Sequence, residues 1–163
     1  MVRRYSSADQ PPPIDPALNV PLYWVRPPRL LPATAGMQRF VWDLHYPPPA
    51  AADWDYPISA IYGDTPREPL GPIALPGQYR VRLTVEGRSY TQPLTLKMDP
   101  RVKTSPAGLA RQFQLATTIV SMMRGGENIK ALTALLNLVE TADAAPTEAA
   151  VAAVAAFRRK SGK

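Results

Sequence analysis

Twenty prolines punctuate this chain of 163 residues, and sixteen of them fall before Gly77. Proline has no backbone N–H and a fixed φ, so it ends helices and removes a rung from the hydrogen-bond ladder of any central strand. The first half of the chain is therefore closed to helices. Its strands must be short, lie at sheet edges, or be separated by extended segments. The constraint lifts after Asp99-Pro100, where only Pro106 and Pro146 remain.

Within the proline-rich half, Val2 to Ser7 (VRRYSS) reads as a short strand. Residues 9–32 read as an extended strap laid on a protein surface, with Leu18, Val20, Leu22, Tyr23, Trp24 and Val25 as apolar anchors. Gly36 to Tyr46 (GMQRFVWDLHY) reads as a strand, because Phe40, Trp42, Leu44 and Tyr46 share one parity while Arg39, Asp43 and His45 share the other. Tyr56 to Tyr62 (YPISAIY) reads as another. The clearest signal is a hairpin: Tyr79, Val81, Leu83 and Val85 alternate with Arg80, Arg82, Thr84 and Glu86 up to a turn at Glu86-Gly87-Arg88. On the return strand Tyr90, Leu94, Leu96 and Met98 line the same face, and Pro93 is expected to break the ladder, so that the strand lies at an edge or is bulged there.

Beyond residue 104 the periodicity switches to that of helices. Ser105 and Pro106 form an N-cap and N1 pair, and Leu109, Phe113, Ala116, Val120 and Met123 recur at helical spacing until Gly125-Gly126. A second helix is expected over about Asn128 to Ala142 and a third, alanine-rich and weakly packed, over about Thr147 to Arg159. The organisation expected is therefore an N-terminal strand and strap (1–35), a β domain (36–103) and a helical hairpin with a tail helix (104–163). The class is mainly β with an α appendage. That length supports one core and one accessory layer.

Charge and composition exclude several function classes. The formal charge of +6 is spread evenly, 12 basic against 9 acidic residues over 1–103 and 7 against 4 over 104–163, and no nucleic-acid-binding motif accompanies it. It reads as a mixed surface with no nucleic-acid partner. Zero cysteines exclude disulfide scaffolds, thiolate metal sites and cysteine nucleophiles. No apolar window is long enough to span a membrane, and MVRRYSSADQPPP has no apolar region of the secretory type.

Candidate chemistry is thin. Asp43 and His45 lie two apart on one expected strand face, an acid/base pair or two metal ligands if they are anything more than a solvated polar face. Asp53, Asp55, Asp64 and Glu68 offer carboxylates, but at irregular spacing in loops. Gly125-Gly126 follows a helix and lacks the partners of a phosphate loop, and Met122-Met123 reads as core. No catalytic, metal or cofactor site is expected. Trp54 and Tyr56 are the candidates for stacking on a sugar ring.

Three stretches carry a resemblance: VRRYSSAD at the start, GMQRFVWDLHYP, and ALPGQYRVRLTVEGRSYTQPLTLKMDPRV followed by a helix with the Gln112-Phe113 pair. Residues 1–115 resemble the segment that follows the propeller in large bacterial glycosyl-hydrolase-like proteins, which are themselves similar to sialidases and sortilins and carry neuraminidase-type repeats. The resemblance is most specific in DPRV and at Gly77, Tyr79, Val81 to Val85 and Gly87. It implies an immunoglobulin-like or fibronectin-III-like antiparallel β-sandwich packed beside a β-propeller. Any hydrolytic residues would then belong to the propeller, and neither the sialidase arginine motif nor its Ser-x-Asp-x-Gly-x-Thr-Trp box is present. The implied parent is periplasmic or secreted, and the missing export signal then suggests a truncated piece.

Three functions follow as expectations. The first is an accessory module docked on a propeller, with a bare apolar patch around Val2, Tyr5, Trp24 and the helical face of Phe113 and Met123, and with Arg101 free to pair with the neighbouring surface. The second is a carbohydrate-binding module acting through Trp54 and Tyr56. The third is a hydrolase using Asp43 and His45.

Overall fold

A computed structural model describes the chain apart from residues 12, 27–29, 53, 162 and 163, and apart from the side chains of residues 160 and 161. Its elements run, in order, a short 3-10 turn Leu22–Trp24, strands β1 (Gly77–Val85) and β2 (Arg88–Leu96), and helices α1 (Pro106–Met123), α2 (Ile129–Glu140) and α3 (Glu148–Ser161).

The helical third forms as its periodicity requires. The Ser105 hydroxyl accepts the Gly108 N–H at 3.1 Å, and Pro106 occupies the first turn, where a missing N–H costs nothing. Leu109, Ala116, Ile119 and Met123 of α1 meet Leu132, Leu135, Leu136 and Val139 of α2. The tail helix is better seated than its alanines suggested. Ala150 and Val154 of α3 are sealed into this same core at 5% and 3% exposure. Small residues let α3 approach both other helices closely. One buried polar group stitches the pair: the Gln112 amide nitrogen donates to the Val139 and Ala142 carbonyls, both at 2.7 Å, and so caps the end of α2.

The expected β-sandwich does not form. The one sheet among the described residues is the two-stranded hairpin, set against helices of 18, 12 and 14 residues. The chain is thus neither mainly β nor immunoglobulin-like or fibronectin-III-like. None of Val2 to Ser7, Gly36 to Tyr46 and Tyr56 to Tyr62 is a strand. Prolines at 47, 48, 49, 57, 66, 69, 72 and 76 remove the donors that a ladder through this region needs. Leu44 adopts φ 65°, which turns the backbone out of the extended region within the very segment whose parity looked most strand-like.

What forms instead is a long loop closed at two points. His45 bridges Ile73 and Asp55 bridges Glu68, each antiparallel. Between them, Gly71 presses on the Tyr46–Pro47 backbone so closely that a Cβ there would overlap both carbonyl oxygens. The alternation of aromatic residues still matters, because each ring of one parity grips a different part of the chain. Phe40 meets Tyr5 (4.6 Å between centroids), Trp42 meets Tyr79 (6.3 Å) and Tyr46 meets Phe113 (5.2 Å). The segment joins the N-terminal arm, the hairpin and α1.

Two carboxylates fasten this loop to the helices. Glu140 of α2 accepts the Ile73 N–H at 3.0 Å, and Glu68 accepts from the Asn137 side chain at 2.8 Å. Burial pushes both carboxyls above the ordinary carboxylate range, with nearby Asp55 adding to the effect at Glu68. The second Glu140 oxygen is buried and has no partner among the described residues.

Candidate functional site

The hairpin is the element that the rest of the molecule does not explain. Its two-residue turn, Glu86-Gly87, has φ 49° and 77°, the type I′ geometry whose twist matches the flanking strands. The register runs without a break from Val85↔Arg88 to Gly77↔Leu96. Pro93 sits opposite Arg80 inside this ladder, so the expected interruption is absent. Cross-strand hydrogen bonds pin one face, Thr84 to Ser89 at 2.9 Å and Thr95 to Gln78 at 2.9 Å.

The opposite face is mostly apolar, with Arg88 and Gln92 beside Val85 and Val81, and only its base is covered. At the base, the Tyr79 hydroxyl donates to the Leu75 carbonyl at 2.6 Å, the Tyr79 ring meets Trp42, and Leu94 and Leu96 are half-buried. Toward the turn no described segment of the chain lies over it. Val81, Leu83, Val85 and Tyr90 are 53%, 50%, 50% and 57% exposed. These four share a face, because directly paired residues of an antiparallel ladder project to the same side. A two-stranded hairpin without a covered face is marginal in water. Here it projects nine residues per strand from a helical body.

The hairpin is also basic. Arg80 and Arg82 stand on the polar face and Arg88 at the turn, and no carboxylate among the described residues lies within ion-pairing distance of any of them. The element thus combines a bare apolar stripe, unpaired guanidinium groups and two open edges.

The residues singled out from sequence are dispersed. Tyr56 is 5% exposed, with its backbone held by both ends of the Asn19 amide and its hydroxyl accepting the Arg26 N–H at 3.3 Å. The Trp54 ring is occupied by the Arg67 guanidinium at 4.6 Å. The two therefore form no common stacking platform. Asp43 and His45 satisfy each other locally: the Asp43 carboxylate accepts the His45 backbone N–H at 3.1 Å, and His45 Nδ1 donates to the Asp43 carbonyl at 2.8 Å. Asp55 and Glu68 serve the loop bridge, Asp64 pairs with Arg26 at 2.8 Å, and Asp53 lies outside the described residues.

Of the expected docking patch, Val2, Tyr5, Trp24 and Phe113 are half-buried at separate places in the chain. Met123 is 1% exposed in the helical core, where no partner reaches it. Arg101 folds back on Asp99 at 2.6 Å, and that contact holds the Asp99 carboxyl below its ordinary range. The residues missed were those of the hairpin tip. Their alternation is plain in the sequence, but alternation is equally what a strand covered by a sandwich shows.

An open cleft of about 530 Å³ lies between Pro47–Pro49 and Thr117, Val120 and Ser121 of α1, with Arg124 just past the helix end. The Thr117 hydroxyl in its wall is engaged by the Phe113 and Gln114 carbonyls. Among the described residues, no group of three or more His, Asp or Glu is placed to hold a metal, and no helix is long and apolar enough to cross a membrane. Comparison with protein families, with curated proteins and with solved structures finds no match for the chain.

Proposed function

We propose that the chain is a non-catalytic docking module whose hairpin lies against a β-propeller-type body, within the same polypeptide or in a partner. The observation that carries the reading is the apolar stripe of Val81, Leu83, Val85 and Tyr90, bare on an element that stands clear of the helical core. An uncovered stripe of this kind marks an interaction surface. The kind of partner is taken from the expectation, carried by the motifs of residues 1–115, of a segment that follows a propeller. In this reading the helices form a rigid base, the aromatic segment Phe40–Tyr46 locks the hairpin to that base, and any chemistry belongs to the partner.

The test is a photo-crosslinker, p-benzoylphenylalanine, placed at position 83 in the native organism, with the adduct identified by peptide mass spectrometry. The expected adduct is a peptide bearing propeller-blade repeats. Adducts confined to other protein classes, or none at all, overturn the reading.

A further inference from the structure

The two edges of the hairpin are not equivalent. A two-residue type I′ turn makes the flanking pair, Val85 and Arg88, a hydrogen-bonded pair, and such pairs then alternate with non-bonded ones along the ladder. Bonded pairs are therefore Val85/Arg88, Leu83/Tyr90, Val81/Gln92, Tyr79/Leu94 and Gly77/Leu96. Residues of the other pairs turn their N–H and C=O groups outward. On β1 these are Gln78, Arg80, Arg82 and Thr84, and on β2 they are Ser89, Thr91, Pro93 and Thr95.

This explains how Pro93 sits inside a continuous ladder: it occupies a site whose missing N–H would have pointed away from β1. It also interrupts the outer edge of β2 near its centre, a common way of blunting an edge against pairing. The outer edge of β1 keeps every donor. No backbone hydrogen bond from Gln78, Arg80, Arg82 or Thr84 to another segment exists among the described residues.

We infer that the partner adds an edge strand to β1, and that this strand alternates acidic and apolar side chains, with carboxylates beside Arg80 and Arg82 and aliphatic groups beside Val81 and Leu83. Charge decides the occupant. Pairing β1 antiparallel with its copy, in any central register that matches apolar face to apolar face, sets arginine opposite arginine, which is destabilising. An acidic strand meets unpaired guanidinium groups, while its backbone completes the open edge. The inference rests on the docking reading and names the partner's chemistry.

The probe is a capped nine-residue peptide of alternating Glu and Val, titrated into the isotope-labelled chain and followed by NMR, with an alternating Lys and Val peptide as control. The Glu peptide is expected to bind about tenfold or more tightly than the Lys peptide, and to slow exchange of the Gln78, Arg80, Arg82 and Thr84 amides. Arg82→Pro removes one outward donor together with its guanidinium and keeps the inner ladder, so it should weaken binding by about tenfold and by more than Arg82→Gln, which removes the charge alone, whereas Thr91→Pro on the other edge should stay within about twofold. Protection of the Val81 and Leu83 amides in Arg82→Pro reports that the hairpin is intact. Charge reversal at both Arg80→Glu and Arg82→Glu should transfer the preference to the Lys peptide. Equal affinities for Arg82→Pro and the parent chain, equal losses for both proline variants, or no transfer of preference overturns the inference. Failure of the docking reading shows separately, as the absence of propeller adducts from position 83.

Discussion

Removing the Gln112 amide strands the Val139 carbonyl, which is buried at the end of α2, and leaves the Ala142 carbonyl on the exposed side to water. A buried acceptor left without its donor costs about 1–3 kcal/mol. Gln112→Ala should lose that much in chemical denaturation. Glu140 acts in the other direction. Burial raises its carboxyl, so the fold favours the protonated form, and stability falls as pH rises through that raised value and returns on acidification. Glu140→Gln keeps an acceptor for the Ile73 N–H and removes the charge. It should be more stable than the parent at pH 7 and lose part of the parent's gain between pH 7 and pH 5, as read by thermal melts at both.

At the scale of elements, the turn of the hairpin is not the best its geometry allows. Glu86 holds φ 49°, a left-handed conformation that costs a non-glycine residue roughly 1–2 kcal/mol and that Asn tolerates better. Glu86→Asn should therefore slow exchange of the Val81 and Leu83 amides several-fold without moving the melting of the helices. The helices and this hairpin were legible in the sequence because their signals are local: the Ser105-Pro106 cap, apolar spacing from Leu109 to Met123, and alternation on either side of Glu86-Gly87. The segment Gly36 to Tyr46 was not. Alternation of Phe40, Trp42 and Tyr46 reports which way side chains point, but a strand also needs a neighbouring backbone with donors to spare, and the prolines had removed that neighbour. The same gap hid the site. Whether Val81 and Leu83 are core or surface depends on what lies across from them, and periodicity contains no such information.

For the whole molecule, the core that carries stability and the proposed docking surface are different parts. Leu136 is 1% exposed among α1, α2 and α3, and Leu136→Ala should cost about 2–5 kcal/mol. Leu83, equally apolar, is 50% exposed with only its cross-strand partner Tyr90 beside it among the described residues, and Leu83→Ser should leave urea unfolding of the free chain within about 0.5 kcal/mol. A loss at Leu83 as large as that at Leu136 would mean that the stripe belongs to the protein's own core.

Pro93 has one more consequence. Exposed strands that accept a neighbour on both sides propagate, as fibres do, whereas a hairpin that joins a sheet through β1 presents β2 as the new margin. That margin lacks a donor near its midpoint. If a partner strand joins β1 as proposed, the sheet so extended stops at this chain, which would then set the width of the assembly it completes.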